Sequence, residues 1–83
     1  MNVKYKIIYT ERINGEQVAE KTIEFFYKSK MLSVYQSIID TSKILLGDNM
    51  TIQEKESQSG RIFTMALYSE NYSIIREYQM VIL

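Results

Sequence analysis

The segment Ser69-Glu70-Asn71-Tyr72-Ser73-Ile74-Ile75-Arg76-Glu77-Tyr78-Gln79-Met80-Val81-Ile82-Leu83 admits two structures, and the choice between them decides the fold. Tyr72, Ile75 and Gln79, with Ile74, Tyr78 and Ile82, recur at three- and four-residue steps, as on a helix begun by Ser69 or Asn71. Tyr78 to Leu83 is at the same time a continuous run of β-prone side chains. The helical spacing is favoured here, with a fifth strand as its rival. A terminal run this apolar has to pack somewhere, because termini that are not tied down fray. The expectation is that it covers a second sheet face through Ile74, Ile75, Tyr78 and Ile82, leaving Met80 exposed.

Working back along the chain, Asn49 to Glu56 and Arg61 to Tyr68 read as a hairpin across Ser57-Gln58-Ser59-Gly60. A four-residue loop with Gly60 left-handed sets Met50 opposite Leu67, Ile52 opposite Met65 and Glu56 opposite Arg61. Before it, Met31, Val34, Tyr35, Ile38, Ser42, Leu45 and Leu46 form the apolar stripe of a helix over Ser29 to Leu46. Ser29 is placed to cap its start, with Ser33 as a rival, and Gly47 to end it in a left-handed C-cap. Val34, Ile38 and Leu45 are the side chains expected against the sheet.

The first segment alternates, with Val3, Tyr5, Ile7 and Tyr9 on one side and Lys4, Lys6, Ile8 and Thr10 on the other, as in a strand with one buried face. Asn14-Gly15 separates it from the β-prone run Val18 to Tyr27. A two-residue turn would set Tyr5 opposite Glu24 and Ile7 opposite Thr22, mixing apolar with polar. A three-residue loop, Ile13 to Gly15, sets Val3 opposite Phe25, Tyr5 opposite Ile23, Lys4 opposite Glu24 and Arg12 opposite Glu16, and is preferred. It places Lys21 opposite Ile7, on the apolar face. The expected class is therefore α+β: an antiparallel sheet of two hairpins, β-β-α-β-β, packed on one central helix, with a C-terminal helix or fifth strand, all in one domain over 1–83.

The chain has 83 residues, of which 46% are hydrophobic, so a core is affordable and disorder is not expected. Ten basic and ten acidic residues cancel, leaving no net field toward nucleic acid or an anionic membrane. There is no cysteine and no histidine. That removes disulfides, the usual zinc ligands, Ser-His-Asp and Cys-His nucleophile systems, and an imidazole base. No catalytic, cofactor or metal residues are therefore assigned. The N-terminus reads as neither a signal nor a transit peptide, no apolar run is long enough to span a bilayer, and the cytoplasm is the expected location. The lack of proline and the abundance of Ile, Lys, Asn and Tyr resemble small accessory proteins of phages and other mobile elements.

Candidate features are few. Glu54 and Glu56 share a strand face, as a glycosidase pair would, but Arg61 answers them, and a solvated hairpin end is the plainer reading. Lys4, Lys6 and Arg12 line one face of the first strand, where Glu20 and Glu24 of the second oppose them. Lys28 and Lys30 at the helix entry could hold an anion, or could simply be solvated. Seven tyrosines and five methionines are the more informative feature, since both residue types favour interfaces. Tyr5 and Tyr35 are expected to face inward. Tyr27, Tyr68, Tyr72, Tyr78 and Met80 are the candidate partner-binding residues. Ile62, Ala66 and Tyr68, with Ile8, Val18 and Phe26, give the sheet a second apolar face that wants cover. The expected function is a small non-enzymatic protein-binding module, an accessory or inhibitor protein that forms a homodimer. The alternative is a small nucleic-acid-binding protein using the first-strand lysines and exposed tyrosines. A site assembled between subunits from Tyr, Lys, Glu and Arg is a third reading.

Overall fold

A computed structural model describes residues 4–58 and 60–82. The expected pairings of Val3, and the parts played by Ser59 and Leu83, lie outside these. The element order is β1 (Tyr5–Ile13), β2 (Glu16–Phe25), α1 (Lys28–Ile44), β3 (Met50–Glu56), β4 (Arg61–Tyr68) and β5 (Ser73–Ile82). The strands form one antiparallel sheet in the order β2-β1-β5-β4-β3. The fold is thus α+β with one helix and five strands, β-β-α-β-β-β.

The C-terminal segment is a strand, which corrects the helix favoured from its spacing. It does not lie across a face of the sheet either. β5 inserts between the two hairpins, pairing with β1 from Tyr5↔Ile82 to Ile13↔Ile74 and with β4 from Ile62↔Gln79 to Tyr68↔Ser73. A central strand satisfies its backbone on both sides, and the β-branched run Val81-Ile82 suits a pleated surface. Met80 and Val81 are consequently buried.

The first hairpin differs from both registers considered. Asn14 (φ 54°) and Gly15 (φ 82°) form a two-residue turn that sets Ile13 opposite Glu16. The register then shifts between Glu11 and Arg12, where Glu11 faces Ala19 and Arg12 faces Gln17, so Val18 is an extra residue in a bulge. Beyond it Tyr5 faces Phe25, Ile7 faces Ile23 and Tyr9 faces Lys21, while Lys6 rather than Lys4 faces Glu24. The bulge restores the matched apolar face that the unbroken two-residue register would lose. The second hairpin pairs as expected, including Met50↔Leu67, Ile52↔Met65 and Glu56↔Arg61.

Two glycines carry backbone that other residues resist. Gly15→Val would put a β-branched residue at positive φ, at a cost of about 1–2 kcal/mol. Gly60 (φ 155°) lies against β5, and an added Cβ would overlap the Met80 carbonyl oxygen. Gly60→Ala should therefore destabilise more than Gly15→Ala, which meets open space. Urea midpoints of the two alanine variants check this, and equal midpoints would disprove the close approach at Gly60.

α1 starts one residue earlier than expected. Tyr27, in extended conformation, is the N-cap and makes no side-chain cap hydrogen bond, so Ser29 does not cap the helix. Leu45 ends it in right-handed conformation, and Gly47 does not adopt the left-handed C-cap. The buried stripe is Met31, Tyr35, Ile39 and Ser42. Val34 and Ile38 are half-buried at its side, and Leu45, expected inside, is 66% exposed. Ile7, Phe25, Met31, Tyr35, Ile39, Phe63 and Met80 make one core cluster between α1 and the sheet.

The face away from α1 is less apolar than expected. By register its rows read Glu24-Lys6-Val81, then Thr22-Ile8-Gln79-Ile62-Lys55, then Glu20-Thr10-Glu77-Thr64-Gln53, then Arg12-Ile75-Ala66-Thr51. Threonines and charges separate its apolar side chains. An antiparallel sheet can present such a face to water, so no cover from the tail is needed.

Candidate functional site

α1 leaves β2 at one edge of the sheet and reaches β3 at the other. Tyr35 Oη donates a hydrogen bond of 2.9 Å to Glu54 Oε2 on β3, and Ile39 and Lys43 flank Ile52 and Gln53. This diagonal path packs α1 on β1, β2 and β5 through Ile7, Phe25 and Met80, and leaves open the helix-side face over Met65, Leu67, Ile74, Arg76 and Tyr78, toward the β4–β5 turn. Five strands about 4.8 Å apart span roughly 19 Å between edge axes, whereas a helix is only about 10 Å wide. β2 is exposed from Glu16 to Glu24, including Ala19, Lys21 and Ile23, which point to the same side as α1.

The result is a groove of about 570 Å³ between the flank of α1 and the sheet. Lys30, Val34, Ile38, Thr41 and Leu45 form its helical wall, with Met65, Arg76 and Tyr78 on the sheet side. A smaller hollow of about 200 Å³, lined by Met50, Met65, Leu67, Ile74 and Arg76, continues it toward the β4–β5 turn. Sequence reasoning named Tyr78 and Lys30, and placed Val34, Ile38 and Leu45 in the core, but did not bring them together as a site. The only signal for it was the shortage of helix relative to sheet.

One strand over from Tyr78 and Arg76 lie Tyr9 and Glu11, and the four side chains interlock. Arg76 Nε donates to Glu11 Oε2 at 2.7 Å, and Tyr9 Oη donates to the same oxygen at 3.2 Å. The Tyr9 and Tyr78 rings lie 4.9 Å apart. The hydrogen bond from Arg76 holds the Glu11 carboxyl below the usual range, and the same bond raises the Arg76 guanidinium. Burial, before any charge effect, pushes the Tyr9 and Tyr78 phenols up. A second set has the same chemistry: Glu54 accepts from Tyr35 and stands 3.9 Å from Arg61, which also reaches Glu56 at 3.9 Å. Burial and the Glu54 hydrogen bond raise the Tyr35 phenol well above its usual range.

Both sets are mutually satisfied and leave no poised acid, base or nucleophile. They tie elements together. Tyr35→Phe should cost about 1 kcal/mol, at the low end for a bond to a charge because Glu54 keeps water and Arg61. All three tyrosines titrate later folded than unfolded, so the native state holds protons that the unfolded chain gives up. The stabilisation they contribute is complete below about pH 10 and is lost as pH climbs above it. Urea midpoints at about pH 9 and about pH 11 should show that loss, with a smaller drop in Tyr35→Phe. A parent midpoint unchanged across the interval would contradict it.

The remaining candidates are scattered. Tyr68 and Tyr72 sit together, exposed, at the β4–β5 turn, where the Ser69 N–H donates to the Tyr72 carbonyl at 2.9 Å. The Asn14 turn is bound to the same end through hydrogen bonds with Ser73. Tyr27, 74% exposed, caps α1 at the opposite end, about 25 Å of strand away. Met80 is 5% exposed and belongs to the core, so it lines no surface. Lys28 and Lys30 diverge, Lys28 toward the β3–β4 loop and Lys30 into the groove. Glu24 opposes Lys6, and Glu20 opposes Thr10 beside it. Among the described residues no cluster of acidic side chains could hold a metal ion, and no helix is long and apolar enough to cross a membrane. No family model matches the chain, and it has no match among curated proteins or solved structures.

Proposed function

We propose that the chain is a small non-enzymatic protein-binding module, of the accessory or inhibitor kind, that works through the groove beside α1. The observation that carries this reading is the unequal cover of the helix-side face. One helix crosses the sheet diagonally, and on its flank Val34, Ile38 and Leu45 face Met65 of β4 and Tyr78 of β5 across an open groove. The groove mixes these apolar side chains with the hydroxyls of Ser33, Ser37 and Thr41, a balance usual for a protein interface and unlike the basic surface a charged polymer needs. Tyr78 and Met65 give the groove the aromatic and flexible side chains that interfaces favour.

Nucleic-acid binding has weaker support, because the basic stripe of β1 meets Glu24 at Lys6 and has Glu77 beside it. The two readings separate on two matrices. Immobilised parent protein should retain a discrete protein, either added free chain or a protein from lysate, and Leu45→Lys, a change on the exposed groove wall, should lose it. The parent should pass unretained over single-stranded DNA and RNA columns at low salt. Retention on those columns that falls steeply with salt would overturn the proposal in favour of nucleic acid.

A further inference from the structure

We propose that the occupant of the groove is α1 of a second copy, so that two chains pair through their helix-side faces with α1 antiparallel to its mate. This rests on the protein-binding reading and names the partner.

The exposed area of the molecule supports it. The chain exposes 5925 Å². A folded monomer of 9.8 kDa is expected to expose about 5,200 Å². The excess, roughly 750 Å², is close to the roughly 800 Å² that each partner buries in a standard interface. The shape agrees: the radius of gyration is 13.5 Å, against about 11.8 Å for a compact domain of this length. Among the described residues α1 is the only helix, so it is the helix that a second copy would bring to the groove.

The surface of α1 fits the same partner. Ile44 is 83% exposed and Leu45 lies on the groove rim, two large apolar residues at the C-terminal end with no cover from their own chain. Antiparallel pairing brings that end beside the first turn of the mate. The first turn carries Lys28 and Lys30 and no acidic residue. Lys30, which points into the groove, is unfavourable to its own helix there but would face the partial negative charge at the C-terminus of another, where Lys43 is turned away toward β3. Two-fold symmetry makes each such contact twice. The edge strand β2 offers no comparable route, since its bulge at Val18 and its charges at Glu16, Glu20, Lys21 and Glu24 discourage strand pairing.

Light scattering over the micromolar range tests the proposal. The parent should have twice the chain mass. Ile44→Glu should have the mass of one chain with an unchanged far-UV spectrum, since Ile44 supports nothing inside its own chain. The absence of native cysteine permits a second readout. Ser37→Cys, exposed on α1, should cross-link to its mate on mild oxidation, and Thr22→Cys, on the opposite face of the sheet, should not. A parent of single-chain mass overturns self-docking while the lysate experiment still decides the broader reading. A dimer that survives Ile44→Glu, or that cross-links through Thr22→Cys and not Ser37→Cys, overturns it as well by placing the seam elsewhere.

Discussion

Deleting residues 78–83 should abolish cooperative folding. Tyr78 to Ile82 pair with Tyr5 to Tyr9 on one side, and Tyr78 and Gln79 pair with Phe63 and Ile62 on the other. Without them the β1–β2 and β3–β4 hairpins lose the end of the strand that joins them. The deletion also removes Met80 from the core cluster and Val81 from the opposite face, both buried. Replacing a buried side chain of that size by alanine costs about 1–5 kcal/mol, and here backbone pairing is lost too. A domain of 83 residues has only about 4–12 kcal/mol to lose. Circular dichroism of the truncated chain should show no sigmoidal thermal transition. A helix lying on the surface would be far more expendable, so a truncated chain that melts cooperatively would refute the central position of β5.

Phe63→Ala should be the most damaging single truncation, at about 3–5 kcal/mol. Phe63 is 2% exposed on β4, under α1 and beside Tyr78, whose ring lies 6.3 Å away. Strands flank it on both sides and the helix lies above it, so little can collapse into the space it leaves. For a domain of this size the loss corresponds to a fall in Tm of roughly 15–30 °C. Leu45→Ala is the counterpart on the same face. Leu45 occupies an apolar stripe position by spacing but is exposed, so in the Ile44→Glu background, where the chain is alone, its truncation should change the urea midpoint by less than about 0.5 kcal/mol equivalent. Equal losses in the two variants would mean that the helix is rotated from the orientation described.

The features legible in the sequence are those set by neighbours a few residues apart. Asn14-Gly15 forms a turn because both residues tolerate positive φ, wherever the rest of the chain lies. The β3–β4 register follows from its loop and from Glu56 facing Arg61 at its mouth. The existence of α1, and the inward positions of Met31 and Tyr35, follow from a spacing that only a helix brings onto one side. The absence of histidine and cysteine chemistry is a matter of composition alone.

What the sequence left open depended on long-range pairing. Ile74, Ile75, Tyr78 and Ile82 fit a helical wheel, which favoured a helix, but the choice fell to the vacancy between β1 and β4, which no local pattern encodes. The bulge at Val18 arose because the Asn-Gly turn and the apolar face each demand a register, the two differ by one residue, and an extra residue in β2 reconciles them. Leu45 and Met80 exchanged their expected places for the same reason. Leu45 lies where α1 has run past its cover, and Met80 lies on a strand flanked on both sides. The groove belongs to the tertiary structure entirely, since it is the difference between the width of five strands and the width of one helix.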